Sequence, residues 1–152
     1  MKTLLSGALL VLLLSACGGS APVAAPPTTF PNALNLPTLQ IKDRVINLSA
    51  KSGFQYAKLS VSVVFADPKG EFAKAKGEGL KKLQEAFVAE NPAAVAAFND
   101  VLTTDVSQKT PQELAGVDGK EALRQQLIKD FNGRLAGERK VLYVEFVDFV
   151  MQ

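Results

Sequence analysis

From Tyr56 to Phe65 the chain alternates almost without a break. Ala57, Leu59, Val61, Val63 and Phe65 fall on one side of an extended backbone, and Tyr56, Lys58, Ser60 and Ser62 on the other. A period of two suits a strand with one dry face and one wet face, whereas a helix would scatter the same residues around its circumference. This run, spanning 55–66, requires a sheet. Residues 40–48, with Ile41, Val45, Ile46 and Leu48, predict a strand before it. The short Gly-containing stretch from Ser49 to Gly53 separates the two as a turn, so the pair predicts a hairpin.

The pattern then changes period. Asp67-Pro68 predicts a helix start, with Asp67 as N-cap and Pro68 as the first helical residue. Phe72, Leu80, Leu83 and Phe87 repeat at helical spacing up to about Glu90, although Gly70, Gly77 and Gly79 weaken the first half. Asn91-Pro92 repeats the cap-then-proline signal, and Val95, Phe98 and Leu102 carry a second helix to about Val106. Thr110-Pro111-Gln112-Glu113 forms a capping box, with the threonine hydroxyl reaching forward and Glu113 reaching back. After Asp118-Gly119-Lys120-Glu121, Leu123, Leu127, Phe131 and Leu135 make the apolar stripe of a third helix, with Ile128 beside it and Gly137 as its C-terminal cap.

The chain closes with Val141 to Gln152, apolar at positions of both parities, which predicts a strand central in the sheet or covered on both sides. Strands segregated from helices in the order β-β-α-α-α-β give an α+β domain, a small, mostly antiparallel sheet packed by helices.

Ahead of this domain, over residues 39–152, lie two segments of different composition. Residues 1–16 hold one positive charge at Lys2, an apolar run from Leu4 to Leu14, and then Ser15-Ala16. A run of about eleven residues falls well short of the roughly 20 needed to cross a bilayer as a helix, and suits the apolar region of a signal peptide. Small residues before Cys17 and Gly18 after it follow the lipobox pattern, so Cys17 is the predicted site of cleavage and acylation. The alternative is an ordinary signal peptide or a short anchor with an incidental cysteine. Residues 17–38 contain Gly-Gly-Ser, Ala-Pro-Val-Ala-Ala-Pro-Pro-Thr-Thr and no charged side chain. They read as a polyproline-rich stalk, able to hold the domain up to roughly 60 Å from a membrane at about 3.1 Å per residue. The predicted location is the cell envelope, lipid-anchored and facing the periplasm or cell exterior. Inner and outer membrane stay open.

Composition removes several chemistries. The sequence has 152 residues, no histidine and one cysteine, Cys17. Acylation of that cysteine leaves no thiol, so Cys-His and Ser-His-Asp catalysis, disulfides and zinc sites built from His or Cys are excluded. Of 17 basic side chains 16 remain once Lys2 is removed, against 15 acidic ones, and no basic tract stands out. Nucleic acid is therefore not a predicted partner. No catalytic, metal-binding or cofactor-binding residue is predicted. Ser107 and Lys109 could suggest a Ser-Lys dyad, but nothing around them supplies a desolvated lysine or an oxyanion hole. Lys74, Lys76, Lys81 and Lys82 alternate with Glu71, Glu78 and Glu85, the mark of a solvated face. Asp148 is placed on the face shared by Leu142, Val144, Phe146 and Val150, where a carboxylate needs a structural hydrogen bond or marks a ligand or subunit contact.

Three blocks resemble the FliL family of flagellar basal-body-associated proteins. The first is Ile46-Asn47-Leu48 with Tyr56-Ala57-Lys58-Leu59. The second runs Ser107-Gln-Lys-Thr-Pro-Gln-Glu-Leu114, then Gly119-Lys-Glu-Ala-Leu-Arg124, ending near Asn132. The third is Phe146-Val-Asp-Phe-Val-Met-Gln152. The resemblance implies an α+β envelope domain similar to the stomatin-type (SPFH) domain, homo-oligomeric rings or arcs around flagellar stator units, and effects on torque, with no catalytic residue or cofactor. Two features depart from the family pattern. The lipobox stands where members usually carry one transmembrane helix, which leaves room for a general envelope scaffold with no part in motility. Gly18 is also not the aspartate associated with retention at an inner membrane. The second departure is Thr103-Thr104-Asp105, which interrupts a helix that is usually apolar.

Overall fold

Three strands, β1 (Thr38–Asn47), β2 (Tyr56–Phe65) and β3 (Val141–Met151), form one antiparallel sheet in the order β1-β2-β3. The computed structural model describes residues 35–49, 55–135 and 139–152. Cys17, the stalk before residue 35, most of the hairpin turn and Gly137 lie outside the described residues. The alternating run is the middle strand, and its helix-facing side is dry: Ala57, Leu59, Val61, Val63 and Phe65 are all at most 2% exposed. Antiparallel pairing of β1 with β2 bears out the hairpin. The ladder bulges between Ile41 and Arg44, where Asp43 takes φ 52°. Asp is among the few side chains that tolerate this left-handed conformation. Asp43 also pairs with Lys58 at 3.2 Å, and its amide donates to Ser60 Oγ.

Helices lie between β2 and β3 in the chain and pack on the dry side of the sheet, so the α+β class holds. Five are formed among the described residues: α1 (Glu71–Lys74), α2 (Gly77–Glu90), α3 (Pro92–Ser107), α4 (Pro111–Leu114) and α5 (Gly116–Arg134). The cover over the sheet is made mainly by α3 and α5, whose Phe98, Leu102, Leu123, Leu127 and Phe131 are buried. A chain of ring contacts crosses the layer. Phe65 meets Phe87 at 5.3 Å and Phe98 at 5.8 Å, and Phe98 meets Phe131 at 4.2 Å. Apolar burial of this kind contributes about 1.5–3 kcal/mol per large side chain.

The first helix departs from its predicted form. Instead of one helix from Pro68 to Glu90, the chain makes the single turn α1 and then α2. Gly70 (φ 65°) and Gly77 (φ 53°) adopt left-handed backbone at the two starts, so the glycines direct the break rather than merely weakening a continuous helix. Asp67 does cap, but from three residues before the N-cap. Its carboxylate accepts from the amides of Glu71, Phe72 and Ala73 at 3.2, 2.9 and 3.1 Å. Asn91 makes no side-chain cap for α3 and instead donates Nδ2 to the Phe87 carbonyl, closing α2. The capping box at Thr110 forms in both directions. Its amide and hydroxyl hold the Glu113 carboxylate below its ordinary range.

β3 is an edge strand, not the central one, and it is not covered on both sides. The ladder slips twice, leaving Leu142 and Val147 without a partner on β2. Each slip changes the parity of the strand. Val141, Val144, Phe146, Phe149 and Met151 thereby all lie opposite helix-facing residues of β2. The apolar residues of both parities reflect bulges, not two-sided burial.

Gly119, in the first turns of α5, is held by a close approach. A Cβ there would meet the Glu113 carbonyl oxygen at 2.0 Å and its carbon at 3.0 Å, whereas a Cβ at Gly79 meets nothing within 4 Å. Gly119→Ala is expected to destabilise the chain by about 1–3 kcal/mol. Gly79→Ala is expected to leave stability unchanged or raise it by about 0.5 kcal/mol. Urea midpoints of the two variants against the parent check both.

Candidate functional site

A three-stranded sheet has two edges, and unpaired edge backbone is a template for another chain. Side chains from the helices cover part of each edge. On β1, Gln84 of α2 does what a neighbouring strand would: its Oε1 accepts from the Thr38 amide at 3.3 Å and its Nε2 donates to the Thr38 carbonyl. On β3, Asn132 of α5 donates Nδ2 to the Val141 carbonyl at 3.0 Å and accepts the Val141 amide at 2.8 Å. Further along, Arg124 donates Nε to the Val144 carbonyl at 2.8 Å. Its guanidinium also lies over Tyr143 and Phe146 and pairs with Glu121. Past Phe146 the cover is a ring contact, with Lys120 Nζ of α5 over Phe149 at 5.1 Å. Tyr56 and Gln152 exchange both backbone bonds across the ladder. Antiparallel alternation then turns the Phe149 and Met151 backbone groups away from β2.

The open half of β3 also carries exposed side chains. Val147, at the bulge, is 64% exposed, and Val150 stands in a row with Lys58 and Val45 across the face opposite the helices. Nearer the start of β1 the same face forms a shallow groove of about 590 Å³ between Gln40, Ser62, Val64, Gln84 and Glu145. The arrangement offers backbone hydrogen bonds, isolated apolar contacts and a few charges. Such a surface suits contact with another polypeptide.

A second feature lies on the helix side. Asp105 of α3 is 7% exposed, in register with the buried Phe98, Val101, Leu102 and Val106. Asp130 of α5 is its neighbouring carboxyl, within hydrogen-bonding reach. Both border a cavity of about 320 Å³ with Thr104 and Arg134. Burial, and then the charge of Asp130, push the Asp105 carboxyl up from its ordinary 3.8 to about 6, while Lys109 and Gln126 act in the opposite sense. Asp105 Oδ2 has no hydrogen-bond partner.

Asp148 is placed differently from the sequence expectation. It is opposite Ser60, on the face away from the helices, and is exposed. The bulge at Val147 is the reason: it moves Asp148 off the face of Val144 and Phe146. The Ser107 hydroxyl donates to the Thr104 carbonyl at 3.0 Å and is engaged within its own helix. Lys74, Lys76, Lys81 and Lys82 are exposed. Among the described residues no group of three acidic, His or Cys side chains is placed to hold a metal ion. Sequence reasoning missed the edge-covering roles of Gln84, Arg124 and Asn132, for which periodicity carries no signal. It also left Asp105 unassigned to the core, although the spacing 98-101-102-105-106 marks that position as inward.

Residues 38–152 match the family described as flagellar basal body-associated protein FliL. The match begins at the first residue of β1 and takes in every strand and helix described above. The chain has no match among curated proteins.

If Asn132 protects the start of β3, Asn132→Ala leaves the Val141 amide and carbonyl without partners. It is expected to cost about 1–3 kcal/mol and to speed hydrogen exchange at the start of β3 while leaving β2 protected. Exchange measured by mass spectrometry on peptides from the two strands checks this.

Proposed function

Because this chain belongs to the FliL family of flagellar basal body-associated proteins, we propose that it is a non-enzymatic, lipid-anchored envelope protein that associates with the flagellar stator and modulates the motor through protein contacts. The observation that carries the reading is the extent of the family match, from the first strand to the last residue. The lipobox supports the anchor. Residues 1–16 are the leader, Cys17 carries the acyl chains, residues 17–38 are the stalk, and residues 39–152 form the working domain. No helix among the described residues is long and apolar enough to cross a membrane.

The mechanism is positional. Two or more acyl chains hold a protein firmly at a bilayer, at about 0.8 kcal/mol per buried methylene. The tether raises the effective concentration of the domain for any partner in the same membrane. The open half of β3 and the face around Val45, Lys58 and Val150 are the surfaces from which we expect contacts to be made, Asp148 among them. Self-association would present that surface as a repeated array. A second reading is favoured by the lipobox itself, which replaces the family's usual transmembrane helix: an envelope scaffold that keeps the fold and has left the motor.

Crosslinking in living cells, detergent extraction and mass spectrometry separate the two. Recovery of stator or basal-body proteins with the native chain, and their loss with Cys17→Ser, is the expected result. Recovery only of the protein itself, or of envelope proteins unconnected with flagella, would overturn the motor reading and leave the scaffold.

A further inference from the structure

We propose that Asp105 and Asp130 form a proton-operated latch, which ties α3 to α5 when the pair holds one proton and loosens that seam when both carboxyls ionise. An ionised carboxylate only accepts, so two of them facing each other have no donor between them and repel. Asp105 Oδ2 is buried without a partner. One proton on that carboxyl converts the contact into an O–H···O bond to Asp130, satisfying the orphaned atom and removing the repulsion in one step.

The surroundings select a proton over a metal ion. Asp105 and Asp130 are the acids bordering the cavity, and its other polar groups include the cationic Arg134. Calcium or magnesium asks for more oxygen ligands than this. On α3 itself, Asp100 is engaged by Arg134 at 3.6 Å. Just beyond α3, Lys109 favours the ionised form. From α5, Asp130 opposes ionisation and Gln126 favours it. From β1, which also packs on α3, Arg44 lies on the helix-facing side opposite Leu59 and is not among the groups that act on Asp105.

A carboxyl raised from 3.8 to about 6 binds its proton more tightly in the folded chain than in the unfolded one. Its contribution to stability is therefore absent above about pH 7, grows as pH falls through 6, and is complete below about pH 4. With these values the folded-to-unfolded ratio is about tenfold higher near pH 5 than near pH 7.5. Glu113, held below its ordinary 4.5, acts in the opposite direction and at lower pH, outside this window. The seam that would loosen carries Phe98 against Phe131, so the helix layer covering the sheet would become more mobile at neutral pH than in acid.

The test uses the full-length chain in detergent, unfolded by urea at several pH values between about 5 and 7.5, with hydrogen exchange followed on α3 and α5. The parent is expected to gain about tenfold in the folded-to-unfolded ratio on acidification, with slower exchange in both helices. Asp105→Asn supplies a permanent donor to Asp130, so it should be as stable near pH 7.5 as the parent near pH 5, with a flat profile. Asp130→Asn, whose side-chain amide donates to ionised Asp105, removes the like charge but not the burial, so it should shrink the gain without abolishing it, and it serves if the first variant does not fold. A parent profile flat across this range, a slope that survives in folded Asp105→Asn, or one left undiminished in folded Asp130→Asn would overturn the latch. None of these results depends on the flagellar reading.

Discussion

The domain depends on the dry face of β2. This strand is hydrogen-bonded on both sides, by β1 and by β3, and its five helix-facing residues are shut from water by α3 and α5. A one-residue slip would turn that whole set outward, so the register is fixed by the same burial that stabilises the strand. Irregularity is moved to the neighbours: β1 bulges at Asp43, and β3 slips at Leu142 and Val147. These bulges let the outer strands follow β2 and still present their own apolar residues to the helices.

A sheet of three strands leaves two of them as edges. The helices that cover the face also reach round to the backbone of the edges, with Gln84 at Thr38, Asn132 at Val141 and Arg124 at Val144. Amide and guanidinium groups stand in for the missing strand and guard against indiscriminate pairing. The guard stops before the end of β3. The stretch from Val147 to Met151 combines backbone groups turned away from β2 with the exposed side chains of Val147 and Val150.

Much of this fold was legible in the residues. Period-two alternation located β2, and the proline and threonine signals at Pro92 and Thr110 located the starts of α3 and α4. The edge position of β3 was not legible. Alternation read from sequence assumes an unbroken ladder, and two bulges reset the parity and carried Asp148 to the opposite face. The division of the first helix was half visible: the glycines were evident, but composition does not tell that Gly70 and Gly77 take left-handed backbone while Gly79 does not. The groups that cover the edges and the acid pair across α3 and α5 are tertiary arrangements. A single period along one element cannot announce a partner on another, although the inward position of Asp105 was there to be read in its own helix.

In the proposed function, a tether holds a FliL-family domain at the membrane surface. The most direct test is the torque of single flagellar motors under load, measured with a bead on the filament stub, in cells with the gene, without it, and with it restored. The account predicts lower torque or fewer engaged stator units on deletion, recovered by the native chain but not by Cys17→Ser. Motors that turn identically in all these cells would contradict it and leave the family domain serving the envelope in another role.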